Sequence, residues 1–161
     1  MSGANILAPP TSGTPTAFTI TLAGLAAAAG RQSTMVTNSG NFRRAIGYVI
    51  IETGTAPTAG GTYDVYLLRG DGTGTYRTDG AGASDAAITI VNATFLASAK
   101  VTASANTNFY VDFDTADVTN DLGPEWGIAV VNNTSQAAHA ATATSLAEFL
   151  YIVDQIQLVS A

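Results

Sequence analysis

Apolar side chains recur at every second position in several short runs of this chain. Phe18, Ile20 and Leu22 alternate with Thr19 and Thr21, and Phe109, Val111 and Phe113 alternate with Tyr110, Asp112 and Asp114. Trp126, Ile128 and Val130 repeat the pattern. A period of two sends successive side chains to opposite faces of an extended backbone, so each run predicts a half-buried strand. Turn-forming clusters stand between the runs, such as Asn38-Ser39-Gly40-Asn41 and Leu122-Gly123-Pro124-Glu125. Arg44–Glu52 (RAIGYVIIE) is apolar on both faces, which predicts a central strand covered on each side. Tyr63–Arg69 is a further strand, set within Gly54–Asp85 between two Gly/Thr/Ala-rich loops whose glycines suit positive φ.

Arg31–Thr37, Ala87–Val91 and a long final segment, Phe149–Val159, complete the strands. The piece LAGLAAAAG, ending at Gly30, is open between one helical turn and a close-packed crossover, being too short for a helix that stands alone. Residues 136–144 are Ala/Thr-rich and ambiguous, and Ser145 to Glu148 fits a helix capping box, although the β-rich segment behind it favours a strand. About eight strands with Gly/Pro/Asn turns predict an all-β fold, an antiparallel β-sandwich of jelly-roll-like form. Residues 1–16, rich in Pro, Gly, Ser and Thr, form an extended N-terminal arm, and residues 17–161 a single β-sandwich domain. Pro9, Pro10 and Pro15 favour extended backbone there, with Ile6 and Leu7 as an apolar pair for anchoring on a neighbour.

The 161 residues fit one domain with a real core. Only 11% of them are charged, against about 25% in average globular domains. The surface is therefore finished with short Thr, Ser, Asn and Ala side chains, which lose little entropy when a partner covers them. That composition favours extensive protein–protein contact. The net charge of −6, with Lys100 the sole lysine, argues against nucleic acid and anionic membranes, both of which need clustered cations. With no cysteine, thiolate metal sites, disulfides and cysteine nucleophiles are excluded. The N-terminus lacks the charged and apolar regions of a signal peptide, and no apolar run approaches the ~20 residues of a membrane span. Synthesis in the cytoplasm as a soluble chain is expected.

Chemistry-bearing groups are sparse. His139 is the single histidine, in AAHAA; it lacks the donors for zinc and the strand–turn–nucleophile signature of a triad. Asp112 and Asp114 share a strand face at roughly 7 Å, a spacing that glycoside hydrolysis can use, but alternating acids on an outward face are more often simply solvated. Asp71, Asp79 and Asp85 lie in the glycine loops, where a calcium ion would find oxygen ligands; their spacing matches no known calcium loop, and turn formation accounts for them better. Arg69-Gly70-Asp71 spells an integrin-recognition tripeptide that strand-end turn chemistry generates unaided. Asn92 and Asn133 open glycosylation acceptor triplets that have no meaning without secretion. Arg43 and Arg44, the one basic doublet, suit a neighbour's carboxylates.

The segments GTAPTAGGTYDVYLLRGDG, RTDGAGASDAAITI, FYVDFDTA and LGPEWGIAVVNNT resemble small β-sandwich structural proteins of tailed bacteriophages, the capsid decoration (cement) and accessory tail proteins. The likeness spans roughly Arg44 to Thr134. It implies a non-enzymatic virion protein without cofactor or metal, trimeric in the cement case, that sits on the head and clamps subunits of the major capsid protein. A terminal arm often makes that contact, and the arm here is residues 1–16. The expected partners are the major capsid protein and further copies of the chain, with no nucleic acid and no membrane. The expected contact residues are Ile6, Leu7, Pro9, Pro10, Arg43 and Arg44. An accessory tail, neck or fibre-base protein is the nearest rival, and a carbohydrate-binding jelly roll for host attachment is the next.

Overall fold

The computed structural model describes residues 16–40, 42–140 and 146–152. The described residues form ten strands and no α-helix. In chain order these are β1 (Thr16–Phe18), β2 (Gly30–Gln32), β3 (Val36–Thr37), β4 (Arg44–Glu52), β5 (Thr62–Gly70), β6 (Ala86–Ile88), β7 (Thr94–Lys100), β8 (Asn108–Asp114), β9 (Glu125–Asn132) and β10 (Leu146–Ile152). Every pairing is antiparallel. One sheet has the order β1-β10-β4-β8; the other runs β6-β2-β9-β5-β7, with β3 also paired to β9.

The pairings are nested along the chain: β1 with β10, β2 and β3 with β9, β4 with β8, and β5 with β7. Two further pairings, β10 with β4 and β9 with β5, close this ribbon into its two sheets. The alternating positions identified in the sequence point into one hydrophobic cluster shared by both sheets. Val49, Ile51, Val111 and Phe113 come from the first sheet, and Tyr63, Val65, Leu67, Trp126, Ile128 and Val130 from the second. Phe18 meets Trp126 edge-on, with ring centroids 5.0 Å apart.

Strands with unbroken alternation fall within a residue of their expected bounds: β4, β5, β8 and β9. Others differ for local reasons. The Phe18–Leu22 run leaves the sheet after Phe18, because the Thr19 carbonyl accepts the Thr34 N–H and the Leu22 carbonyl accepts the Leu25 N–H. Residues 26–29 form a turn instead of a helix, with Ala28 at positive φ and its N–H donated to the Asn132 carbonyl. The expected Arg31–Thr37 strand is split into β2 and β3. Between them the Ser33 hydroxyl accepts the Ile128 N–H in place of a carbonyl. The arm residues Ile6, Leu7, Pro9 and Pro10 lie outside the described residues, as does the end of the final segment beyond residue 152.

Candidate functional site

The glycine loops between β5 and β7 contain most of the candidate chemistry, and they are more ordered than pliable loops would be. The Gly70–Arg77 bridge and the Asp71 N–H to Tyr76 carbonyl bond close a hairpin, with Gly72 and Gly74 at positive φ. Inside it Arg77 forms a two-pronged ion pair with Glu125 of β9: Nε to Oε2 and Nη2 to Oε1, each at 2.8 Å. Both side chains are nearly buried, so the pair ties the loop base to the central strand of the sheet. The hairpin and the one-turn 3₁₀ helix at Thr78–Gly80 bound an open recess of about 700 Å³, with Arg69 on one wall.

The three loop aspartates are not brought together. Asp71 turns back on its own loop, accepting the Thr73 N–H at 3.0 Å and the Thr73 hydroxyl at 2.6 Å; that hydroxyl bond holds its carboxyl below the usual range. Asp79 accepts the backbone N–H groups of Asn92 (2.6 Å) and Ala93 (2.9 Å). Asp85 binds Arg31 and the Thr21 hydroxyl. Burial pushes its carboxyl up, but the Arg31 and Thr21 hydrogen bonds outweigh that and leave it below the usual range. Among the described residues no group of three or more His, Cys, Asp or Glu is placed to hold a metal ion. Arg69 of the RGD tripeptide lies beside the Asp121 carbonyl, at 3.3 Å.

Arg43 and Arg44 diverge, Arg43 lying in the bend just before β4 and Arg44 opening the strand. Arg43 is exposed beside Asn38, Asn120 and Asp121. Arg44 instead grips Asp114 across the β4–β8 ladder, with Nε 2.9 Å from Oδ1 and Nη2 on Oδ2. Asp114 also accepts the Ala116 N–H, and the Arg44 hydrogen bond is the main cause holding its carboxyl low. A carboxyl held ionised in this way is a poor proton donor. Asp112, two residues before it, is exposed. His139 is half-exposed, with Nδ1 3.7 Å from a Glu52 carboxylate oxygen.

A surface the sequence reading missed lies on the outer side of the four-stranded sheet. Ala45, Gly47, Val49 and Ile51 of β4 are buried, whereas Ile46, Tyr48 and Ile50 are only half-buried. The register aligns Ile50 with Leu146 and Tyr110, Tyr48 with Glu148 and Asp112, and Ile46 with Leu150 and Asp114. Tyr110 is 60% exposed. Ile50 and Tyr110 thus adjoin on this face, with Tyr48 next to the exposed Asp112 and Ile46 next to the Arg44–Asp114 pair. The signal lies in RAIGYVIIE, whose two apolar faces predict cover on both sides; one face is buried and the other is partly exposed.

No protein-family model matches the chain, and no curated protein or solved structure does either.

Proposed function

We propose that the chain is a bacteriophage virion structural protein: a capsid decoration (cement) protein that forms homotrimers, binds the outside of the head and clamps subunits of the major capsid protein. The observation that carries this reading is the outer face of the four-stranded sheet, where Tyr110 is 60% exposed and Ile46, Tyr48 and Ile50 beside it are partly exposed. An apolar sheet face of that kind is a protein-contact surface. Apolar area contributes about 25 cal/mol per Å² on burial, and a shell with many copies multiplies a modest gain per joint.

Three further features support the reading. The nested pairings closed by β10–β4 and β9–β5 support the jelly-roll reading, an architecture used by viral capsid and lectin domains. The low charge fraction suits close subunit packing. Residues 1–15 carry no charged side chain and, fully extended, would reach about 50 Å from Thr16. This arm would seat Ile6, Leu7, Pro9 and Pro10 on an adjoining subunit, and the exposed Arg43 would add a cation to the contact. Arg44 contributes by fixing the edge of the β4–β8 ladder.

The test is the copy number of this chain relative to the major capsid protein in purified virions. A decoration protein is present at a stoichiometry comparable to the shell subunits. A ring's worth of copies would instead assign it to the tail or neck, and its absence from the particle would overturn the reading altogether.

A further inference from the structure

The outer face of the six-stranded sheet is covered over only half its extent. Residues 78–93 fold back across one half, where Leu68, Ala81 and Ala129 form a second cluster with Tyr66, Ile88 and Ile90. Beside that overhang, the register aligns Gly30, Val131, Asp64 and Ser98 in one row across four strands. At strand spacing this row is about 14 Å long. At the Gly30 end it opens into a recess of about 320 Å³ that Ile88 and Thr89 also line.

One side of the row is an aromatic wall. Tyr66 and Phe95 are paired across β5 and β7, edge to face with centroids 5.7 Å apart, and Phe95 is 48% exposed. On the row itself Asp64 accepts the Ser98 hydroxyl on one oxygen at 2.6 Å and the Asn133 amide on the other at 2.7 Å. A carboxylate has about four acceptor positions, so this clamp fixes its direction and leaves positions for a ligand. Ser98 and Asn133 are themselves exposed. Thr62 and Lys100 form the next row on the same face, so the charges of Lys100 and Asp64 offset one another.

From this arrangement we infer that the strip is a binding site for a short neutral oligosaccharide laid across the strands. A sugar ring presents C–H groups to an aromatic face and hydroxyls to its side; Phe95 meets the first, and Asp64 with Asn133 meets the second. Its backbone groups are already paired on β2, β9 and β5, so an added peptide strand would find no ladder partners at its centre. The total charge of −6 disfavours polyanionic glycans. The site stands independently of the virion reading, since it lies on the opposite sheet from the proposed contact face.

The test is titration of the ¹⁵N-labelled full chain with cellotetraose, maltotetraose and chitotetraose, and with a heparin tetrasaccharide as the anionic counterpart. The expected result is saturable shifts at Asp64, Phe95, Ser98 and Asn133 with at least one neutral sugar. Phe95→Ala should weaken that binding about tenfold, equivalent to about 1.4 kcal/mol, and Asp64→Asn should weaken it too while the rest of the spectrum is unchanged. No saturable shift with any neutral sugar, binding by heparin alone, or neutral-sugar binding that Phe95→Ala leaves intact would overturn the assignment.

Discussion

Single polar atoms decide much of what these residues do. The Tyr63 hydroxyl is buried with no hydrogen-bond partner among the described residues, and the nearby Thr134 hydroxyl donates to the Gln136 carbonyl instead. Desolvation pushes the phenol's pKa up. Removing an orphaned buried hydroxyl relieves its desolvation cost. Tyr63→Phe should therefore leave the urea midpoint unchanged or raise it, and a loss of more than about 1 kcal/mol would show a bond that the structure lacks. Asp79 is the opposite case. Its carboxylate satisfies two backbone N–H groups in the 92–93 turn, so Asp79→Ala should cost about 1–3 kcal/mol, measurable by chemical denaturation. Nothing in a loop sequence distinguishes an aspartate that binds calcium from one that caps backbone across thirteen residues. Of the loop aspartates only Asp71 is held within its own turn, by Thr73; the distant partners of Asp79 and Asp85 were not legible.

Segments follow the same logic at a larger scale. The strands with intact two-residue alternation were readable because one buried face dictates the pattern. β7 was not readable, because the ladder slips between Val65 and Tyr66. Across that bulge Phe95 faces out, while Leu96, Ala97 and Ala99 all pack against the main core. A bulge adds a residue and breaks the period on which the reading depends. The stretch from Gly70 to Asp85 reads as glycine-rich loop, and its glycines hide a covering layer held by Leu68, the Arg77–Glu125 pair and the Gln32 amide, which donates to the Gly82 and Ser84 carbonyls; the strand expected at Ala87–Val91 is the shorter β6. Leu68→Ala should cost about 2–5 kcal/mol, and limited proteolysis should then cut first within 78–93. Gly30 packs so tightly on β6 that a Cβ there would lie 2.5 Å from the Ile88 carbonyl oxygen. Gly30→Ala should accordingly open the same segment by displacing β6.

At the scale of the whole molecule, carboxylates paired with arginine link stability to pH. Asp114 is held low chiefly by Arg44, and Asp85 is held low by Arg31 and Thr21 against the opposing effect of burial. A carboxyl whose folded pKa lies below its unfolded value of about 3.9 stabilises the fold above that pH and ceases to as pH falls through the folded value. The urea midpoint should thus be flat between about pH 7 and pH 5 and fall below about pH 4, with a shallower fall in Asp114→Asn.

The partly exposed face of the four-stranded sheet is the contact surface proposed for assembly. Static light scattering of the purified full chain tests it most directly. The expected result is a trimer, three times the 16.3 kDa of one chain, reduced to monomer by Ile46→Asp with the strand content unchanged by circular dichroism. A chain that stays at 16.3 kDa across tens of micromolar, or a trimer that Ile46→Asp leaves intact, would contradict it.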